Sequence, residues 1–294
     1  SVLIAESFDF KSYKDSVAEY LYNANGSMTK DLNKGITEIK YNQLNLPSQM
    51  DIKSPVGEAR NTYTYTADGI KRKTVQQWNS NYSTTPVIGT GINVSSLNQT
   101  KTTDYAGHII YENGSLKRIL IDGGYIEGGV YYFYLTDHLG NNRVVANSSG
   151  TVIQKTHYYP FGMTFAESTD QGKQPYKYNG KEFDQMHGLN LYDYSARYME
   201  PALGRFTTVD PLAEKYYSVS PYVYCGNNPV LFIDPDGRDL KKARVHLANA
   251  VSVTFSLGFQ VGFKFDINNK GISGKINMAS MEVGGFERGM NTLN

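Results

Sequence analysis

The sequence predicts an all-β protein: repeated antiparallel hairpins forming a curled sheet or partial hollow shell, followed by a short C-terminal helix and a long β-hairpin. Three observations carry this prediction. Tyrosine supplies 24 of 294 residues, and glycine another 28. Tyr favours strands and tolerates a half-wet surface, while Gly between such runs supplies turns. Short β-forming runs separated by Asn/Asp-Gly pairs recur along the chain, which is the grammar of hairpins.

Taken in order, residues 10–105 read as short strands between polar turns. In Gly26–Met50 (GSMTKDLNKGITEIKYNQLNLPSQM) a turn at Asp31–Gly35 precedes Ile36, Ile39 and Tyr41. Tyr63–Arg72 (YTYTADGIKR) repeats the arrangement, and recurrence over tens of residues indicates a repeat architecture. Asn79–Thr103, rich in Ser, Thr, Asn and Gly, reads as a loop. From Gly107 the hairpins resume, with turns at Glu112-Asn113-Gly114, Asp122-Gly123-Gly124, Asp137–Asn141 and Ser148-Ser149-Gly150. In the third of these turns, Asp137-His138-Leu139-Gly140, the carboxylate is placed to cap backbone N–H groups two residues on. Tyr192, Tyr194 and Tyr198 are read as a ladder of aromatic contacts and hydroxyl hydrogen bonds.

Composition excludes several classes. The net charge of +1, from 29 basic and 28 acidic residues, gives no support for a nucleic-acid partner bound through a large basic face. Cys225 is the lone cysteine, so an intrachain disulfide framework is ruled out, and it is read as an ordinary packed residue. The five histidines show no close ligand spacing, and no metal or cofactor is expected. No apolar run reaches the roughly 18 residues of a membrane helix. Ser1–Glu6 lacks the basic start and apolar core of a signal peptide and is read as a cut inside a longer chain.

The segment YYFYLTDHLGNNRVVANSSGTVIQKTHYYPFG resembles a YD-type repeat. After it come, in order, NGKE from Asn179, YDYSARYM from Tyr192, GRF from Gly204, Asp210-Pro211, PYVYCGNNP from Pro221 and DPDG from Asp234. This ordered set resembles the core module of Rhs/YD-repeat proteins, a polymorphic toxin family. The resemblance covers 107–237 well, 10–75 weakly and 239–294 not at all. It divides the chain into a YD-repeat-like β segment (1–106), the Rhs core (107–238) and a variable tail that begins the effector region (239–294).

The resemblance implies a secreted or cell-surface-delivered bacterial scaffold that encloses and presents a C-terminal effector. Its partners would be the remainder of its own longer chain, an immunity protein and secretion machinery. A rival reading is a surface protein whose repeats contact glycans. Self-cleaving members of the family use two core aspartates and an arginine to cut the chain after the terminal DPxG element. Matched motif by motif, these are Asp210, Asp234 and Arg197, with the cut just after Arg238. Two close carboxylates sharing one proton supply base and acid. Asp-Pro-x-Gly is equally a favoured turn, and Arg238 stands where cleaving members usually carry an apolar residue, often Leu.

In the tail, Leu240–Ala250 is read as the short helix. Odd positions from Val251 to Ile267 are all apolar and the even ones polar or Gly, the pattern of one amphipathic strand. At 17 residues it would span about 56 Å. A second strand follows through Ile272, Ile276 and Met278, with a slip before Met281 and Val283. The 251–283 hairpin is read as packing on a helix or on the shell wall, with membrane contact as the alternative.

Overall fold

A computed structural model describes residues 17–83, 88–165, 168–169 and 172–243, and the backbone of strands at 251–254, 260–268, 271–280 and 289–293. The chain falls into two compact units, Ser1–Lys242 and Ala243–Asn294.

The first unit is built on a 13-stranded sheet in which every strand pairs with the next in sequence. The strands are β1 (Tyr20–Tyr22), β2 (Met28–Asp31), β3 (Ile36–Tyr41), β4 (Pro47–Ser54), β5 (Gly57–Tyr65), β6 (Lys71–Trp78), β7 (Gln99–Ala106), β8 (Ile109–Glu112), β9 (Ser115–Ile121), β10 (Gly124–Glu127), β11 (Val130–Thr136), β12 (Asn142–Asn147) and β13 (Val152–Lys155). All pairings are antiparallel, and the sheet is not closed into a barrel. The expected turns fall between these strands. Asn113 and Gly114, joining β8 to β9, have φ of 50° and 77°, the left-handed pair that a two-residue hairpin requires. At Asp137–Asn141 the Asp137 carboxylate accepts hydrogen bonds from the Leu139 and Asn141 N–H groups, at 3.0 and 3.1 Å.

One stretch read as loop is partly strand. Gln99–Thr103 opens β7, which pairs along its length with β6 and β8. Its sequence, QTKTTDYA, is polar on both faces, which hid it. Three β-branched threonines and two strand neighbours nevertheless hold it extended.

A second, four-stranded sheet follows: β14 (Glu182–Asp184), β15 (Leu191–Asp193), β16 (Tyr198–Glu200) and β17 (Arg205–Phe206). Side chains alternate across a strand, and here the alternation separates two chemistries. Phe183, Tyr192, Met199 and Phe206 are register partners in succession and share one face. They enter an aromatic core with Tyr158, Tyr178, Tyr194, Tyr224 and Cys225. Glu182, Asp184, Leu191, Asp193, Tyr198 and Glu200 take the other face, toward the large sheet. There Leu191 and Tyr198 join a core with Ile36, Ile39, Met50 and Ile52, each such apolar side chain contributing about 1.5–3 kcal/mol on full burial.

The carboxylates of that face meet partners from the large sheet. Lys71 Nζ lies 2.7 Å from Glu182 and 2.6 Å from Asp193. Lys34 pairs with Glu200 and also donates to the Leu189 and Asn190 carbonyls at 2.9 and 3.0 Å. Asp184 receives the Asn61 and Gln76 amides, each at 3.3 Å. Burial raises the Asp184 carboxyl to about 6.

A two-stranded ribbon, β18 (Phe232–Ile233) and β19 (Lys241–Lys242), completes the unit. The start of the helix expected over Leu240–Ala250 is therefore extended, because Lys241 and Lys242 take backbone partners on β18; residues 244–250 lie outside the described residues.

The second unit corrects the expectation of one long strand. The alternating run is shared by β20 (Val251–Thr254) and β21 (Gln260–Asn268), which pair with each other, Val251 opposite Phe263 and Val253 opposite Val261. Partners have the same parity, so a period-2 pattern reads through the reversal without a break. The second expected strand is β22 (Gly271–Ser280), with Ile267 opposite Ile272, Phe263 opposite Ile276 and Val261 opposite Met278. A fourth strand, β23 (Gly289–Leu293), pairs with β22. The slip expected before Met281 and Val283 lies outside the described residues.

Candidate functional site

Arg197, Asp210 and Asp234 come from three different connections and meet in one cleft. Arg197 ends the tight link between β15 and β16, in which Ser195 has a φ of 71°. Asp210 follows β17, and its backbone N–H bonds the Pro221 carbonyl at 3.0 Å. Asp234 follows β18. Tyr216, Val219, Pro221 and Arg238 line the same cleft.

The guanidinium organises the site. Arg197 is 2% exposed, and its plane stacks 3.6 Å from the Phe206 ring centroid. Nη2 donates to Asp210 Oδ2 at 2.9 Å and reaches Asp234 Oδ2 at 3.5 Å. Nη1 donates to the Pro221 carbonyl at 3.1 Å and Nε to the Gly237 carbonyl at 2.6 Å. Burial lowers the guanidinium from its ordinary value, opposed by Asp210 and Asp234; arginine stays protonated under such shifts.

The two aspartates have different surroundings. Asp234 is 3% exposed. Its Oδ1 accepts the N–H groups of Asp236, Gly237 and Arg238 at 3.3, 2.8 and 3.1 Å, a side-chain-capped turn. Burial raises the Asp234 carboxyl against the pull of Arg197 and these three donors. Asp210 Oδ1 caps the Leu212 N–H at 2.7 Å, opening a second turn. The carboxylates flank one arginine nitrogen, an arrangement distinct from two carboxylates in direct contact sharing a proton.

Both sides of one peptide bond are engaged. Arg197 binds the Gly237 carbonyl and Asp234 binds the Arg238 N–H, so the group addressed is the Gly237–Arg238 amide. Gly237 fits because it has no side chain: its φ is 78°, and a Cβ would stand 3.0 Å from the Arg197 N and the Tyr194 carbonyl.

The other ordered motifs supply supports that sequence reasoning had not assigned. Lys181 of NGKE donates to the Pro235 carbonyl, holding the terminal turn. Asn179 Oδ1 accepts the hydroxyls of both Tyr194 and Tyr224, at 2.7 and 2.5 Å. Cys225 is buried behind them, its thiol pushed up to about 12 by burial, which suits a packing role rather than a nucleophile. The order of the motifs was their only sequence signal.

This geometry defines the class: an open, Tyr-rich antiparallel β-sheet of neighbour-paired strands with a compact four-stranded module packed on it. Residues 109–230 match the Teneurin YD-shell family. The chain is 40% identical over 117 residues to "Salivary gland surface protein 1" of Aedes aegypti, covering 39% of this chain and 3% of that protein. It is 27% identical over 191 residues to "Toxin subunit YenC1" of Yersinia entomophaga, covering 60% of this chain and 19% of that one. The fold is shared with the crystal structure of TcdB2-TccC3-TEV, at a TM-score of 0.57 and 22% identity, over 74% of this chain and 11% of that one. This chain therefore spans a small part of each.

Proposed function

We propose that this chain is a wall segment of a longer polymorphic toxin, an exported bacterial protein whose shell encloses and presents a C-terminal effector. The observation that carries the reading is the meander of thirteen neighbour-paired strands with the core module packed on it. Kinship with a toxin subunit agrees with it. The test is limited trypsin digestion of the full-length protein. Lys264, Lys270, Lys275 and Arg288 in the tail should resist cleavage in the native protein and be cut promptly once it is unfolded. Equal rates in the two states would remove the enclosing role.

The cleft favours a second activity of the same shell, hydrolysis of its own chain. Water would add its oxygen to the Gly237 carbonyl carbon and pass a proton to Asp210. Arg197, donating to the carbonyl oxygen, would stabilise the developing negative charge. The C–N bond would break as a protonated Asp234 delivers its proton to the Arg238 nitrogen, leaving a carboxylate on Gly237 and an amine on Arg238. Intact mass of the purified full-length protein should show a break at Gly237–Arg238, or just after Arg238, that Asp210→Asn abolishes. An unbroken wild-type mass would eliminate this activity and leave the cleft as a structural turn.

A further inference from the structure

The chain beyond Gly237 is held at a point that neither aspartate explains. Asp239 has one carboxylate oxygen 2.7 Å from Lys215 Nζ and accepts the Tyr216 hydroxyl on the other. Lys215 Nζ also lies 5.3 Å from the Tyr216 ring centroid, so the pair forms one cationic and aromatic corner. These two residues are not independent of the cleft. Asp210 caps the Leu212 N–H with its side chain and accepts the Ala213 N–H on its carbonyl. The single turn that begins there continues through Ala213–Lys215, with the Lys215 N–H on the Leu212 carbonyl and the Tyr216 N–H on that of Ala213. The candidate base and the corner that grips Asp239 are thus parts of one short rigid turn, five and six residues apart.

We infer that Lys215 and Tyr216 form a subsite for an acidic side chain at the second position after Gly237, and that by holding Asp239 they fix which peptide bond lies in the cleft. This rests on the self-hydrolysis reading above. The exit segment is then tethered at successive points: the Gly237 carbonyl on Arg197, the Arg238 N–H on Asp234 and the Asp239 carboxylate on Lys215 and Tyr216. Arg238 lines the cleft but is itself exposed, so the register of the segment rests on its neighbours. Lys215 and Tyr216 are positioning residues; no proton of the hydrolysis passes through them.

The experiment is a time course of intact mass on the full-length protein, with fragment masses assigning the bond cut. The variants are Lys215→Glu, Lys215→Arg, Tyr216→Phe, Asp239→Asn, Asp239→Lys and the exchanged pair Lys215→Glu with Asp239→Lys. Asp239→Asn should slow cutting about fivefold, the worth of a half-exposed ion pair. Either charge reversal alone should slow it further and spread the cut between Gly237–Arg238 and Arg238–Asp239. Lys215→Arg and the exchanged pair should restore a single cut site, which a merely structural loss would not do. Unchanged melting temperatures confirm that the variants fold. A wild type cut at one bond, with Lys215→Glu cut at the same bond and rate, overturns the subsite and leaves the hydrolysis intact. An uncut wild type overturns the hydrolysis, and the subsite's role falls with it.

Discussion

Lys71→Met tests how the two sheets of the first unit are joined. Lys71 lies between Glu182 and Asp193, all three side chains less than a quarter exposed, and the Tyr105 hydroxyl donates to the far oxygen of Glu182 at 2.7 Å. Burial alone would lower the Lys71 ammonium and raise Asp193. Their mutual attraction outweighs it, leaving Lys71 well above its ordinary value and Asp193 below. Met preserves the length and apolar stem but leaves two buried carboxylates facing each other without a cation. Removing one partner of a buried pair costs about 3–5 kcal/mol, because the stranded charge remains. For a unit of this size that corresponds to a melting temperature lower by about 10 °C. Urea denaturation followed by circular dichroism should show a lower midpoint with an unchanged slope. Adding Glu182→Gln and Asp193→Asn to Lys71→Met should recover more than half of the loss. A single-variant loss under about 1 kcal/mol would refute the reasoning, since the pair would then be behaving as an exposed one. The pH signature follows from the directions of shift. The Asp193 contribution is present above the usual carboxylate range and fades as the pH falls through its depressed value. The Lys71 contribution is complete below its unfolded value and fades as the pH rises beyond it.

Asp184→Asn should stabilise the protein by about 1–3 kcal/mol above pH 6, because the buried carboxyl titrates near 6 and is costly when ionised; the new amide can also meet the buried Asn61 Oδ1, which has no partner. Urea midpoints at pH 8 and pH 4.5 should show that advantage largely gone at the lower value, where the wild-type group is protonated, and an advantage independent of pH would contradict the assignment. Gly124→Ala places a Cβ 2.0 Å from the Tyr132 carbonyl oxygen across the β10–β11 ladder, so a loss of about 1–3 kcal/mol from overpacking is expected, measured as a shift in denaturation midpoint.

The large sheet was legible because its information is local. Asn113-Gly114 and Asp137–Asn141 carry their turn geometry in two to five residues, and each strand needs only the next one. The site was legible through the order of its motifs, which led to Arg197, Asp210 and Asp234 although Asp210 and Asp234 are 24 positions apart. What was not legible depended on distant partners. Gln99–Thr103 looks like loop until β6 and β8 are placed beside it. The run from Val251 to Ile267 hides its reversal, since antiparallel partners keep their parity. Nothing near Lys215 or Tyr216 announces Asp239, because the grip exists only once the turn after Asp210 is set against the exit from Gly237. The two-sided chemistry of β14 to β16 was readable in principle, in the repeated alternation of E-F-D, L-Y-D and Y-M-E, but three-residue strands give too few periods to count.

That alternation has a consequence for how the small sheet finds its place. Sliding or flipping it by one residue would carry Phe183, Tyr192 and Met199 to Lys71 and Lys34, and drive four carboxylates, Glu182, Asp184, Asp193 and Glu200, into the aromatic cluster. Both interfaces would fail together. The docking is thus keyed like an asymmetric plug: an aromatic and apolar face on one side, and on the other a face that sets carboxylates around Leu191 and Tyr198, admit a single orientation. A substitution that made the two faces alike would cost the protein its discrimination between right and wrong seating before it cost much affinity between the layers.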